Sequence, residues 1–236
     1  MLDRQQHELM LKNILRDIYK DPYLSQRLVF KGGTACYLFY SLPRFSVDLD
    51  FNSQIELDQD SKKIILEKIG KIANQYGGVQ EQREKKNTLL VVLRYMKNYY
   101  PVKVGVSLRQ VSAEFELLNL FGLGVAVLPR EMIFAEKLQA LTNRRGAANR
   151  DVFDVNFFFQ QGWRINRVHL EQLVGKNWAE YLKDCIKFVD KKVKIKTILD
   201  GLGQLLNQTQ RKWVKENLKE EVLWQLKSYL GTQVKV

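Results

Sequence analysis

The sequence predicts an α+β fold: a small mixed sheet with helices over residues 1–128, followed by a helical half over 129–236. Three observations carry this. Phe45, Val47, Leu49 and Phe51 alternate with Ser46, Asp48 and Asp50, the period of a half-buried strand, and further short apolar segments follow it. The first twenty residues space their apolar side chains as a helix does. After Pro129 the spacing turns helical and stays so. A chain of 236 residues allows one large domain or two small ones, and 45% hydrophobic content suffices for a core.

Taken in order, residues 3–20 form an amphipathic helix with Leu9, Leu11, Ile14, Leu15 and Ile18 inward, stopped at Asp21-Pro22. Leu28-Val29-Phe30 reads as a buried strand, Gly32-Gly33 as a turn and residues 34–40 as a short apolar helix. The strand at 45–51 comes next. Asp60-Ser61 can start a helix with Ile65, Ile69 and Ile72 on its inner face, ending at Gly77-Gly78. Residues 88–95 and 102–108 read as strands of a hairpin joined around Lys97-Asn98, and 122–128 as another short strand. Beyond Pro129, Met132, Ala135, Leu138 and Leu141 make a buried helical stripe, with Lys137 off it. Asp151 and Asp154, three apart, share a helix face; Asp151 either starts that helix or serves a site.

Strand, glycine turn and helix start is the arrangement that aims free backbone N–H groups at an anion, and glycine lets a phosphate approach the backbone. Lys31-Gly32-Gly33-Thr34 has that form, with the Thr34 hydroxyl able to cap the helix or to donate to a phosphate oxygen. Asp48 and Asp50, two apart on a strand, project from one face roughly 6.5–7 Å apart. Hard oxygen ligands so placed suit Mg²⁺ or Mn²⁺, and a cation between them relieves their repulsion.

The formal net charge of +12 suggests a polyanionic partner, nucleic acid above all, or simple solubility. Lys191, Lys192, Lys194 and Lys196 are the densest basic cluster, and Trp213 and Trp224 lie among charges where they either stack on RNA or pack helix on helix. Cys36 and Cys185 have no metal or disulfide spacing, and His7 and His169 are too few for a histidine site. The start of the chain has no signal-peptide pattern. The longest apolar stretch, 117–128, is shorter than the ~20 residues of a membrane span, so a cytoplasmic protein is expected.

Lys-Gly-Gly-Thr-Ala at 31–35 and Arg-x-Ser-x-Asp-Leu-Asp-Phe at 44–51 together resemble the AbiEii/AbiGii group of toxin nucleotidyltransferases, in the DNA polymerase beta-like superfamily. A second block is similar to that family's Glu-Lys-Leu-x-Ala-Leu and Arg-Asp-x-Tyr-Asp-Leu motifs: Glu136 to Leu141, then Arg150-Asp151-Val152-Phe153-Asp154-Val155. The resemblance spans roughly residues 25–160. It implies a polymerase beta-like core and transfer of a nucleoside monophosphate from an NTP to an acceptor. The acceptor implied is RNA, with tRNA 3′ ends the best guess. The setting implied is a toxin–antitoxin pair tied to phage defence, with a cognate antitoxin. Residue by residue, Lys31, Gly32, Gly33, Thr34 and Ser46 would bind the nucleotide. Asp48 and Asp50 would hold the metal, Lys137 would touch the triphosphate, and Asp151 would complete the site from the helical half. Arg150 and Asp154 would support it or bind phosphate. Arg144 and Arg145, read from their place in a loop with Gly146 beside the expected site, are placed to touch acceptor phosphate, and Arg150 is a further expected nucleic-acid contact.

One position departs from the superfamily pattern. A third carboxylate on a later strand would fall where Gly105 stands. Either Asp151 supplies that acid, or the metal site is weaker, or the chain is a relative that binds nucleotide or RNA without chemistry. A transferase acting on protein hydroxyls is the other open reading.

Overall fold

The computed structural model describes residues 2–111, 114–143 and 149–233. They form two compact units: Met1–Ser41 with Phe45–Pro129, and Leu42–Arg44 with Arg130–Val236. Arg144 and Arg145 lie outside the described residues.

The first unit runs α1 (Arg4–Lys20), α2 (Pro22–Ser25), β1 (Leu28–Lys31), α3 (Gly32–Phe39), β2 (Asp48–Ser53), α4 (Gln59–Asn74), β3 (Gly78–Lys85), β4 (Thr88–Arg94), β5 (Val102–Val111), β6 (Glu116–Leu120) and β7 (Leu123–Val127). The sheet is mixed, in the order β3-β4-β5-β2-β1-β7-β6. β2 pairs antiparallel with β1 and parallel with β5. The local chemistry sets the helix ends. Asp3 caps α1 by accepting from the Gln6 N–H, and Asp58, two residues before the expected start, caps α4 by accepting from Ser61. One sheet face is fully apolar, with Leu49, Phe51, Leu89, Val91, Leu93, Val102, Val104 and Val106 packed in one core with Leu11, Ile14, Leu15, Ile65 and Ile69 of α1 and α4. Leu9, expected inside, is exposed.

Three strands differ from expectation. β2 begins at Asp48, not Phe45, because side chains take the backbone acceptors just there: His7 takes the Val47 carbonyl and Thr34 the Asp48 carbonyl. β3 has a single apolar residue, Val79, so its sequence carries no strand period. The apolar run 117–128 is a hairpin of β6 and β7, turned at Phe121-Gly122, where both residues have positive φ.

The second unit is helical: α5 (Arg130–Asn143), α6 (Asn149–Gln160), α7 (Arg167–Val174), α8 (Trp178–Lys192) and α9 (Gln208–Gln233). α5 packs with α6, α7 and α8, and α9 with α6 and α8. The expected stripe Met132, Ala135, Leu138 and Leu141 is buried, joined by Ile133 and Phe134. Trp163 stacks on Phe158 with ring centroids 4.3 Å apart. Trp224 is 67% exposed and therefore is not a packing residue. No described helix is long and apolar enough to cross a membrane.

Candidate active site

The first unit brings the glycine turn and the acidic strand together. β1 ends at Lys31, directly opposite Asp50 of β2, and α3 begins at the next residue. Gly32 has φ +79°, a conformation glycine adopts without strain. A Cβ built there would stand 3.0 Å from Asp50 Oδ2, so the glycine is what lets the helix start lie against the carboxylate. Gly33 and Thr34 follow in the first turn, where helical N–H groups have no intrahelical acceptor.

Asp48 and Asp50 do share a face, with Leu49 and Phe51 turned to the core between and beyond them. Across β5 their register partners are Lys103 and Gly105. The position expected for a third acid is thus beside Asp50, and it holds no carboxylate. Among the described residues no three His, Cys, Asp or Glu converge. Two carboxylates beside a helix N-terminus fit Mg²⁺ or Mn²⁺, which binds through one or two carboxylates and leaves further positions to phosphate oxygens and water.

The Thr34 hydroxyl donates to the Asp48 carbonyl and lies 2.9 Å from the Ser46 hydroxyl, at 1% exposure. Its proton is spent on the strand, so Thr34 and Ser46 act by fixing where β2 begins. His7 completes this clamp. Its Nε2 lies 2.9 Å from the Val47 carbonyl, so Nε2 carries the proton, and its Nδ1 accepts from the Tyr95 hydroxyl at 3.1 Å. Burial pushes the His7 pKa down, against the Val47 bond, which pushes it up. His7 was not legible as a site-supporting residue, since only the fold brings α1 to the residue before Asp48.

The second unit holds a separate ionic cluster. Lys137 Nζ lies 2.8 Å from Asp151 Oδ1 and 2.9 Å from Asp154 Oδ2. Arg44 holds both oxygens of Asp154, Nε donating to Oδ1 and Nη2 to Oδ2, each at 2.6 Å. Burial alone would push Lys137 down, yet Asp151 and Asp154 hold it above the usual lysine range. Burial would push Asp154 up, yet Arg44 and Lys137 hold it below the usual carboxylate range. Arg44 opens the Arg-x-Ser-x-Asp-Leu-Asp pattern, and that place in the motif is the one sequence signal that it matters. Arg150 is half-buried in the first turn of α6.

The mixed sheet with its helices is a fold found in known nucleotidyltransferases. The family model described as nucleotidyl transferase AbiEii toxin, type IV toxin–antitoxin system, matches residues 13–226. The chain belongs to this family and is a nucleotidyltransferase of the toxin class. A crystal structure described as a nucleotidyltransferase from H. pylori matches with TM-score 0.67 and 24% identity, covering 98% of this chain and 96% of that one. JHP933 from Helicobacter pylori matches with TM-score 0.56 and 22% identity, over 100% and 99% of the two chains. MenT4, a nucleotidyltransferase toxin from Mycobacterium tuberculosis, matches with TM-score 0.59 and 20% identity, over 94% and 83%. These likenesses concern the fold. No curated protein matches by sequence.

Proposed function

We propose that this nucleotidyltransferase moves a nucleoside monophosphate from an NTP to an RNA acceptor, with tRNA as the acceptor class, and that it is the toxin partner of a cognate antitoxin in a phage-defence pair. The observation that carries the reading is the juxtaposition of Asp48 and Asp50 with the N-terminus of α3, opened by Gly32 against Asp50 Oδ2. Backbone N–H groups at Gly33 and Thr34 receive the triphosphate, where the helix start favours negative charge. Asp48 and Asp50 would hold a divalent cation, which supplies charge neutralisation of the phosphates and activation of the attacking hydroxyl. The acceptor hydroxyl attacks the α-phosphorus; the new P–O bond forms as the bond to pyrophosphate breaks, and the hydroxyl proton is released to water. Thr34, Ser46 and His7 keep the first residues of β2 in place.

For the second block the support is the resemblance together with its own chemistry. Lys137 is a permanently charged lysine held by Asp151 and Asp154, so it can neutralise phosphate charge without being itself mobile. The resemblance implies that Asp151 is a further essential acid of the reaction.

The test is incubation of the purified protein with Mg²⁺, total tRNA and each labelled NTP in turn, with Asp48→Asn as control. Label in tRNA with the unsubstituted protein alone supports the reading and names the nucleotide. Label in polypeptide instead would move the acceptor to a protein hydroxyl. No transfer in the presence of Mg²⁺ or Mn²⁺ would sink it.

A further inference from the structure

The sheet face that carries Asp48 and Asp50 extends past them, across β5 and β4 to the outer strand β3, and its residues can be read row by row from the register. One row runs Lys31, Asp50, Gly105, Leu90, Arg83. The next runs Asn52, Ser107, Thr88, Lys85, and on the other side Asp48, Lys103, Val92, Glu81. The direction of the side chains is fixed independently: a Cβ on Gly105 would meet Asp50 Oδ1 at 3.5 Å and Thr88 Cγ2 at 3.6 Å.

This face differs from the one behind it. Leu89, Val91 and Leu93 on the core side are fully buried, whereas Thr88, Leu90 and Val92 are only partly covered although β4 is an interior strand. Arg83, Lys85, Lys103 and Arg109 are exposed. Of the acids on these outer rows, Glu81 is the one that register places there, and it pairs with Arg83. Glu84 points to the other side, where it pairs with Lys62.

We infer that this face is the track along which the acceptor RNA reaches the carboxylates. The inference rests on the RNA-acceptor reading above and deepens it by naming the surface. The acceptor's end lies over Gly105, where a missing side chain leaves the floor low beside Asp50. The partly covered Leu90 and Val92 support sugar and base, and Arg83 and Lys85 on the rim take phosphates. Arg83 lies three strands from Asp50, about 14 Å at ~4.8 Å per strand, which sets the length of the track. Lys103 and Arg109 flank it along β5. No aromatic side chain lies on these rows, so binding rests on phosphate neutralisation, with strong salt dependence and little reading of bases.

The experiment is retention of 5′-labelled total tRNA by the full chain in the Asp48→Asn background, which prevents turnover during the measurement. Arg83→Gln with Lys85→Gln should weaken binding about tenfold or more. The slope of log K against log salt should fall by about 1.4, at ~0.7 for each single-strand phosphate left without its cation. Lys191→Gln with Lys194→Gln, on the basic cluster of the second unit, should keep most of the affinity. Equal binding by the Arg83/Lys85 variant, or a loss carried by the Lys191/Lys194 variant instead, overturns the track and leaves the RNA-acceptor reading standing. No retention of tRNA by the Asp48→Asn parent overturns both. Thermal melts of each variant exclude unfolding as the cause.

Discussion

Asp50 and Gly105 are register partners on β2 and β5, and a Cβ on Gly105 would stand 3.5 Å from Asp50 Oδ1, an ordinary contact. Gly32 meets the same carboxylate from the other side, but at 3.0 Å and with φ +79°. The two glycines should therefore respond differently to one methyl group. Gly105→Ala leaves Asp50 in place, so its methyl group should raise the acceptor's KM and keep turnover at saturating acceptor within about threefold. Gly32→Ala adds backbone strain and displaces Asp50, and a loss of ~1.4 kcal/mol in alignment is already tenfold in rate. Pyrophosphate release under identical Mg²⁺ and NTP checks the pair. Equal activity in both variants would show that the close approach of Gly32 to Asp50 has no catalytic weight.

Thr34 is predicted to act through its hydroxyl's hold on β2. Thr34→Val leaves the Asp48 carbonyl without that donor and the buried Ser46 hydroxyl without that acceptor, a cost of ~1–3 kcal/mol. Thr34→Ser retains the bond and should restore most of the stability and turnover. Urea midpoints and pyrophosphate release are the measurements. Thr34→Val with undiminished turnover would mean that β2 is held without it.

The sequence made the interior of this fold readable where its periods are clean. The stripe Ile65, Ile69 and Ile72 and the alternation Leu49, Phe51 fall where the periods put them. It concealed edges, because an edge strand such as β3 has a face that needs no apolar residue. At the site, the carboxylate pair and glycine turn were legible because their chemistry dictates residue type and spacing. The support His7 was not, and Arg44 showed only as a motif residue without its role, since each is joined to its partner across the fold: His7 to Val47, and Arg44 to Asp154 over 110 residues. Lys137, off the buried stripe, reads by itself as a solvated lysine, until its side chain is seen ringed by two acids.

In the second unit, Asp154 and Asp151 should separate stability from activity. Asp154→Ala leaves Arg44 and Lys137 buried without the carboxylate they share, a loss of ~3–5 kcal/mol. Asp151→Asn leaves Lys137 its bond to Asp154, so the fold should survive while most turnover is lost. Because the Asp154 pKa is lowered from 3.8, its stabilisation is present above that value and disappears as pH falls through the lower folded one. Lys137, raised from 10.5, stabilises below that value and loses its effect as pH rises through the higher folded one. Denaturant midpoints across pH, beside turnover, test both. Normal turnover in Asp151→Asn would make its acid purely structural.

His7 should give the protein a stability change in mildly acid solution. Its ring is fully buried, donates through Nε2 to Val47 and accepts at Nδ1 from Tyr95. Arg4 lies over the neighbouring Phe45 ring, so a second positive charge would be poorly placed. Burial lowers the His7 pKa from 6.5, and the unfolded chain therefore binds more protons than the folded one between the folded value and 6.5. Stability rises with pH across that window and is lost as pH falls below 6.5, at most ~1.4 kcal/mol for each unit by which the pKa is lowered. The depressed carboxylates Glu8, Asp17, Asp21, Asp58, Asp154 and Asp184 have ordinary values of 3.8 to 4.5 and take up their protons mainly below about pH 5, so the window between pH 6.5 and 5 belongs chiefly to His7. His7→Gln places an amide N–H near the Val47 carbonyl and carries no titrating proton. It should be the less stable protein at pH 7.5, with a flatter profile, so that the two curves approach one another toward pH 5. Parallel curves for the two proteins between pH 6.5 and 5 would show that His7 is not held neutral in the fold.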